Sequence, residues 1–276
     1  MGALSRKSLA FEVEIELQGL EAQNGGRPLE SLPLVSSRDV SAIPQVVKIG
    51  SLENEPGLVH GFSTTSLGSM GLTHAPDPEA VMASRRHFAR TLGIDAEPLT
   101  VAGAVHGNSV ARVDEHLDVV KGVDALVTDR RGVALFATFA DCFPIVLWDA
   151  EHRCAALVHA GWRGTKAGVG PAALAKLQDE YGTNPAHVKA GIGPGICGRC
   201  YEVGEEVASQ FDARFVRRGA GDRFLLDLAA ANRAQLEAEG VTEVDVIGLC
   251  TKETDYLPSH RRSSDGTRFG AIVALR

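Results

Sequence analysis

Residues 133–165 read VALFATFADCFPIVLWDAEHRCAALVHAGWRGT, and this stretch determines the fold. It contains three apolar runs, 133–139, 144–148 and 154–158, each of a length typical of a buried strand. The runs are joined without room for a helix between them. Strands that follow one another in this way form hairpins and mixed sheets, unlike the regular βαβ alternation of a doubly wound sheet. The stretch therefore predicts an α+β fold built on mixed sheets.

Short apolar and amphipathic runs continue on both sides of this stretch. The apolar runs predict further strands at 99–105, 109–113, 188–192, 224–226, 244–249 and 269–275. Helical spacing predicts helices at 79–92, 168–181, 201–211 and 229–239.

The beginning of the chain has a different character. Residues 11–17 alternate strictly between apolar and acidic and predict a half-buried strand. A stretch rich in Gly, Pro and Ser follows it, from Gln23 to about Pro44. We therefore divide the chain into an N-terminal extension, residues 1–45, and one main domain, residues 46–276.

The composition excludes several classes of function. The net charge is −7 and no Lys- or Arg-rich block occurs, so the chain lacks the basic surface that binds nucleic acid or anionic membranes. No apolar run reaches transmembrane length, and acidic residues interrupt the N-terminal segment where a signal peptide would be apolar. The five cysteines are an odd number in a long chain, which does not suit a secreted disulfide framework. We expect a cytoplasmic protein.

Three predicted strands end in residues that can ligate a metal. Asp141-Cys142 follows the run 133–139, His159 ends the run 154–158, and His106 follows the run 99–105. One Cys and two His could hold a catalytic zinc with a fourth position open. The same residues could equally form a thiol nucleophile with its base. Their spacing does not distinguish the two, and Asp141 is costly to bury without a function.

Two segments are candidates for binding an anion. Residues 160–165 form a tight turn into a helix, whose first backbone N–H groups could bind an anion together with Arg163. Arg261 stands beside another arginine and His260, in what is either an anion site or a solvated basic loop.

A glycine-rich loop follows the predicted strand 188–192. Gly193, Gly195 and Gly198 make up a G-x-G-x-x-G pattern, but the surrounding sequence does not fit a dinucleotide site, and a turn that brings backbone amides to a ligand is favoured. Cys197 and Cys200 form a C-x-x-C motif without a second pair, so we predict neither a zinc site nor a redox site there.

Several of these segments occur in the order of one family, from about Gly57 to the C-terminus. The chain resembles the multicopper polyphenol oxidase (laccase-domain) family, also described as purine nucleoside phosphorylase or peptidoglycan editing factor. The segments that carry the resemblance are Val105-His106-Gly107, Asp124 to Thr128, Ala140 to Ile145, His159 to Thr165, Gly193 to Gly195 with Cys200 to Gly204, and Cys250-Thr251.

The resemblance implies mixed sheets packed between helices in α/β/β/α layers, and a metal site of His106, Cys142 and His159. The metal is usually zinc, with copper possible. It also implies phosphorolysis of adenosine, inosine or methylthioadenosine, with adenosine deamination as a side activity. The expected partners are a small-molecule nucleoside and phosphate, and the chain is expected to be a monomer or a weak homo-oligomer. The residues expected to act are Cys142, His159, Asp141 and Arg163 in catalysis, and Arg163, Gly193, Gly195 and Arg261 in binding substrate or phosphate.

The chain departs from the family pattern at the rim of the expected site. Ala104 stands where the family has Gln, Thr65 replaces its usual Arg, and the loop 66–74 is short. Two alternatives therefore stay open beside the phosphorylase: a cysteine amidase acting on cell-wall precursors, with Cys142 as nucleophile and His159 as base, and a relative that only binds. The polyphenol oxidase activity of the older family name is poorly supported, because none of the nine histidines forms a His-x-His pair.

Overall fold

The computed structural model describes residues 43–73, 75–94 and 99–276. Within them, two mixed six-stranded sheets are accompanied by a small three-stranded sheet. The predicted α+β class is therefore confirmed. The predicted strand 11–17 and nearly all of the predicted extension 1–45 lie outside the described residues, so the division of the chain stays a prediction.

The first sheet contains the strands nearest to both ends of the described domain. Its strands are β1 (Val46–Val47), β2 (Leu58–Ser63), β3 (Thr100–Gly103), β5 (Val119–Lys121), β7 (Ala134–Phe139) and β15 (Phe269–Leu275). They lie in the order β1-β2-β15-β7-β3-β5. The last strand, β15, pairs antiparallel with both β2 and β7 and so occupies the middle of the sheet.

The second sheet contains the hairpin that the apolar runs predict. Its strands are β4 (Val110–Arg112), β6 (Ala125–Thr128), β8 (Phe143–Asp149), β9 (Cys154–Ala160), β10 (Val188–Ile192) and β14 (Glu243–Val246). They lie in the order β14-β10-β8-β9-β6-β4, with β8 and β9 antiparallel. The small sheet has the order β11-β13-β12 and contains β11 (Glu202–Val203), β12 (Val216–Arg218) and β13 (Phe224–Leu226).

The described residues form six α-helices, three of them only one or two turns long. They are α1 (Pro78–Thr91), α2 (Trp162–Lys166), α3 (Val169–Tyr181), α4 (Glu205–Ala208), α5 (Leu228–Ala238) and α6 (His260–Ser263). The carboxylates of Asp77 and Asp227 cap α1 and α5 by accepting backbone N–H groups of their first turns. None of the helices in the described ranges is long and apolar enough to span a membrane.

Strand alternation explains how the two sheets stack. In β7, Leu135 and Phe139 belong to the core between the sheets, whereas Phe136 packs against the side of α1. In β9, Leu157 faces the core between the sheets, and Val158 belongs to the cluster that includes α3 and α5. The layers are therefore α1, first sheet, second sheet, then α3 with α5. This is the expected α/β/β/α order.

Residues 140–142 carry the chain from one sheet to the other. β7 and β8 are consecutive in the chain but belong to different sheets. The turn between them is made at Asp141, whose φ of 82° lies in the left-handed region that non-glycine residues rarely adopt. A polar residue in a conformation of this cost requires support from its surroundings.

The predicted helix 201–211 is wrong over most of its length. Residues 202–203 form β11 instead, which pairs with β13, and Gly204 then caps the short α4. The apolar spacing of this segment arises because Val203 packs inward from a strand and Val207 from one helical turn. Two different periods joined at a glycine imitate one helical period.

The inter-sheet core supplies a test of this packing. We expect Leu135→Ala to lower the free energy of unfolding by about 2–5 kcal/mol, because Leu135 is fully buried between the sheets. Met82→Ala, at a position of α1 that is 40% exposed, should change it by less than about 0.5 kcal/mol. Urea unfolding followed by circular dichroism measures both. Equal losses for the two variants would contradict the proposed layering.

Candidate functional site

His106, Cys142 and His159 meet at the edge where the two sheets come together. His159 lies near the end of β9, on the same side as Leu157, and Cys142 directly precedes β8 at the crossover. His106 lies in the turn after β3 with a φ of 62°. One side-chain donor atom of each residue lies within 4.8 Å of the others. These three residues, called the His–Cys–His cluster below, could hold a metal ion.

A glycine makes this close approach possible. A Cβ atom on Gly161 would lie 2.9 Å from Sγ of Cys142 and 3.1 Å from Cδ2 of His106. The first distance is shorter than real Cβ contacts. Gly161 therefore leaves room for the thiol and the imidazole to lie against the turn that begins α2.

Asp124 organises two of the three candidate ligands. Its carboxylate is fully buried and lies 3.3 Å from Nδ1 of His159, which leaves Nε2 of that ring for the cluster. It also accepts the backbone N–H groups of His106 at 2.7 Å and Gly107 at 2.8 Å. Burial raises the pKa of Asp124, but these hydrogen bonds outweigh it and hold the pKa below its ordinary value. A carboxylate behind a histidine is the usual second partner of a metal-binding imidazole.

The cluster stabilises a thiolate. Burial raises the pKa of Cys142, but the charge of His159 and hydrogen bonds with both histidines outweigh it and lower the pKa to about 6. Burial lowers the pKa of His159, but the thiolate of Cys142 and the carboxylate of Asp124 raise it to about 9. The thiolate is both the metal ligand and the nucleophile, so this arrangement is compatible with either chemistry.

The Asp141 carboxylate is held by three donors instead of facing open space. Oδ1 accepts the hydroxyls of Thr251 at 2.6 Å and Ser259 at 2.7 Å, and Oδ2 accepts the backbone N–H of Arg261 at 2.7 Å. Asp141 thus ties the crossover to the segment 250–261. From the sequence, Asp141 is expected to act in catalysis, and these contacts favour a supporting role for its carboxylate.

A cavity of about 620 Å³ opens beside the His–Cys–His cluster. All three cluster residues line it, as do Tyr201 and several cationic or potentially cationic side chains: Arg85, His260, Arg261 and Arg268. Arg85 is 7% exposed, and burial lowers its pKa to about 10. Its guanidinium donates to the carbonyl of Met70 at 2.7 and 2.9 Å and lies 4.7 Å from the centre of the Phe136 ring, so none of these contacts in the described part of the chain neutralises its charge. A buried guanidinium that faces a cavity with this charge favours an anionic ligand there.

The other residues expected to bind substrate are placed differently. Arg163 is exposed on α2, and its guanidinium lies 4.4 Å from the centre of the Trp162 ring instead of lining this cavity. Its charge still acts on the phenol of Tyr201 at the cavity wall. Gly193 and Gly195 line a second cavity that shares no lining residue with the first.

Sequence reasoning gave no role to three residues of this site. Asp124 does have a sequence signal, because it is an acidic residue directly before the apolar strand β6. Arg85 and Arg268 had no usable signal, since one lies in an amphipathic helix and the other in a loop. Only the folded chain turns these two side chains toward one cavity.

Fold and site together define a layered α/β/β/α protein with the His–Cys–His cluster at the wall of one cavity. Residues 59–276 match the family described as "Multi-copper polyphenol oxidoreductase laccase". The chain belongs to this family.

Individual relatives extend this result over most of the chain. The protein named "Purine nucleoside phosphorylase" from Deinococcus radiodurans is 38% identical over 231 residues, 78% of this chain and 88% of its own. "Adenosine deaminase RL5" from an unknown prokaryotic organism is 37% identical over 187 residues, 62% of this chain and 71% of its own. The crystal structure of YlmD from Geobacillus stearothermophilus superimposes with a TM-score of 0.74 at 31% identity, covering 80% of this chain and 92% of that one. With relatives of this extent named as enzymes, the chain is an enzyme of the same family.

The thiolate at Cys142 can be tested by its pH dependence in metal-free protein. Because the pKa of Cys142 is lowered to about 6, its rate of alkylation by iodoacetamide should rise with pH, with a midpoint near that value and a plateau at higher pH. His159→Gln removes the neighbouring cation, so the midpoint should move upward by more than one pH unit. Peptide mass spectrometry resolves Cys142 from the other thiols. Cys154, whose pKa burial raises to about 12, should stay unmodified and serves as the internal control. A wild-type midpoint at the ordinary value of 9.0 would contradict the assignment.

Proposed function

We propose that this enzyme is a zinc-dependent purine nucleoside phosphorylase that acts on adenosine, inosine or methylthioadenosine. The observation that carries the proposal is the His–Cys–His cluster in the wall of a cavity that is also lined by Arg85, Arg261 and Arg268. Support comes from the relatives whose names state this activity over most of the chain. In this reaction an oxygen of phosphate bonds to C1′ of the ribose while the bond from C1′ to the purine nitrogen breaks. The products are ribose 1-phosphate and the free base, which takes up a proton.

The donor set of the His–Cys–His cluster fits zinc. Two imidazoles and one thiolate are ligands of types that zinc prefers, and three protein ligands leave a position open. Gly161 provides the space around them, and Asp124 sets the orientation of His159. When bound, the metal supplies a Lewis acid at the wall of the cavity.

The residues of the chain itself bind and orient the two reactants. We assign phosphate to the guanidinium of Arg261, assisted by Arg85 and Arg268, which also line the cavity, and by the charge of Arg163 from outside the lining. The aromatic ring of Tyr201, which lies 5.1 Å below the guanidinium carbon of Arg261, supports that side chain. Phosphate oxygens carry negative charge in both ground and transition states, so preorganised arginines act throughout the displacement.

Proton transfer to the departing base falls to a histidine in this proposal. That histidine is His260, which lines the cavity and is exposed, because His106 is assigned to the metal. Asp141 is assigned a positioning role, because its three hydrogen bonds link the loop of Arg261 to the crossover that ends in Cys142. Gly193 and Gly195 are assigned a packing role and no contact with substrate, since Cβ atoms there would overlap Phe62 and Phe143 respectively.

A cysteine amidase is the second candidate, and the lowered pKa of Cys142 beside His159 favours it. In that reaction the Cys142 thiolate would attack an amide carbon and His159 would protonate the leaving amine. The binding cavity with its arginines would then hold an anionic group of a cell-wall precursor. A multicopper oxidase is not favoured, since the His–Cys–His cluster contains only two histidines.

Direct assay distinguishes these functions. Purified protein of measured zinc content should convert adenosine and phosphate into adenine and ribose 1-phosphate. Formation of inosine from adenosine would instead show deamination. Chelation should abolish the activity and added zinc should restore it, and His106→Ala should lose both zinc and activity. Absence of any product from zinc-loaded protein would overturn the phosphorylase. Activity that survives chelation but is lost on alkylation of Cys142 would instead support the amidase.

The phosphate assignment predicts a selective defect. Arg261→Ala should raise the KM for phosphate about tenfold or more, because a charge-assisted hydrogen bond contributes about 1.5–3 kcal/mol. The backbone N–H that holds Asp141 is kept in this variant. Arg261→Lys should recover part of the effect, and Arg163→Ala should give a smaller one because its side chain lies outside the cavity. The matched control is Arg214→Ala, an exposed arginine stacked on Phe215 away from the cavity lining. A phosphate KM in Arg261→Ala equal to that of the control would refute the assignment.

A further inference from the structure

A second group of metal-ligating side chains lies outside the His–Cys–His cluster. Cys197, Cys200, Cys250 and Glu253 each place one sulfur or oxygen atom within 4.8 Å of the others. None of the three cysteines is in a disulfide. We call these four residues the Cys3Glu cluster; it shares no residue with the first cluster, and the proposed phosphorylase activity does not use it.

The Cys3Glu cluster consists of two pairs with the same spacing and the same local structure. Two residues separate Cys197 from Cys200, and two separate Cys250 from Glu253. The carbonyl of Cys197 accepts the N–H groups of Cys200 at 2.9 Å and Tyr201 at 3.0 Å. The carbonyl of Cys250 likewise accepts those of Glu253 at 3.2 Å and Thr254 at 2.9 Å. The second pair that the C-x-x-C motif lacks in the sequence is therefore supplied 50 residues later, with a glutamate in place of a cysteine.

We propose that the Cys3Glu cluster is a structural zinc site. Four protein donors fill a tetrahedral shell and leave no open position, which separates this site from a catalytic one. With zinc–sulfur bonds of about 2.3 Å, sulfur atoms in a tetrahedron lie about 3.8 Å apart. The observed spread of up to 4.8 Å therefore needs only a small contraction around the ion.

The surroundings of the cluster suit its negative charge. Three thiolates and one carboxylate exceed the two charges of zinc, and Arg199 lies 2.8 Å from Oε2 of Glu253. The backbone N–H of Cys197 donates to Sγ of Cys250 at 3.3 Å, the kind of contact that stabilises a thiolate. Arg262 adds a further positive charge where its guanidinium donates to the carbonyls of Thr251 and Thr254.

The position of the cluster indicates what the zinc would do. Ile196, next to Cys197, donates its N–H to the carbonyl of Asp141 at 2.9 Å. Thr251, next to Cys250, donates its hydroxyl to the carboxylate of Asp141 at 2.6 Å. Zinc would lock together the two loops that hold the crossover. Its role is therefore to stabilise the fold beside the first cluster without contacting substrate.

Metal analysis of the full-length protein tests this site independently of the enzyme assay. Protein purified under reducing conditions should lose one equivalent of zinc in Cys200→Ser, whereas Cys154→Ser, which removes a buried thiol outside both clusters, should keep the wild-type content. Cys142→Ser should retain the zinc of the Cys3Glu cluster, whatever the first cluster binds. The melting temperature of Cys142→Ser should fall on chelation, and that of the double variant with Cys200→Ser should already be low and insensitive to chelator.

Cobalt provides the second measurement, in case Cys200→Ser does not fold. Cobalt(II) bound to Cys142→Ser should show the visible spectrum of a tetrahedral ion and a thiolate charge-transfer band, because three of its four ligands are cysteines. Glu253→Gln should weaken cobalt binding and keep the charge-transfer band. Zinc content unchanged by Cys200→Ser, or absence of the band in Cys142→Ser, would overturn the proposal. So would a disulfide among these cysteines in the freshly purified protein, since its sulfurs could not bind the ion.

Discussion

The turn at Asp141 is the constraint on which the rest of the structure depends. A single extended segment supplies β7 to one sheet and β8 to the other, and it can do so only by bending within three residues. The bend places a non-glycine residue at positive φ, at a cost of about 1–3 kcal/mol, and three hydrogen bonds to its carboxylate offset that cost. Because Cys142 follows directly, the bend that joins the sheets also sets the direction of the thiol.

The site is therefore assembled at a junction and not on one sheet. His159 comes from a strand of the second sheet, whereas His106 and Cys142 come from two connections between the sheets, β3 to β4 and β7 to β8. Asp124 joins two of these origins, since it directly precedes the strand β6 and accepts hydrogen bonds from both histidines. A geometry that depends on both sheets is rigid when the interlayer core is packed, and this matches the need of a metal site for preorganised ligands.

Local pattern was sufficient for the regular parts of the chain. The runs 188–192, 224–226 and 269–275 form strands with those bounds, because a short continuous apolar run between turns is typical of a strand. The helix predicted at 201–211 is wrong because a strand and a helical turn meet at Gly204 and together imitate one period. In the site, polar residues at strand ends were enough to indicate the first cluster. The proximity of Cys197 and Cys200 to Cys250 and Glu253 could not be predicted, since no local pattern relates segments 50 residues apart and only the tertiary structure brings them together.

The central place of β15 has a consequence for how the molecule is made. This strand lies between β2 and β7, so the first sheet has a gap in its middle until residues 269–275 have been synthesised. Until then the facing edges of β2 and β7 expose unpaired backbone groups, and the apolar residues between the sheets have no cover. The first sheet can therefore be completed only when β15 pairs with β2, two strands about 200 residues apart in the chain. Such late closure makes folding slow and leaves the nascent chain dependent on protection from aggregation.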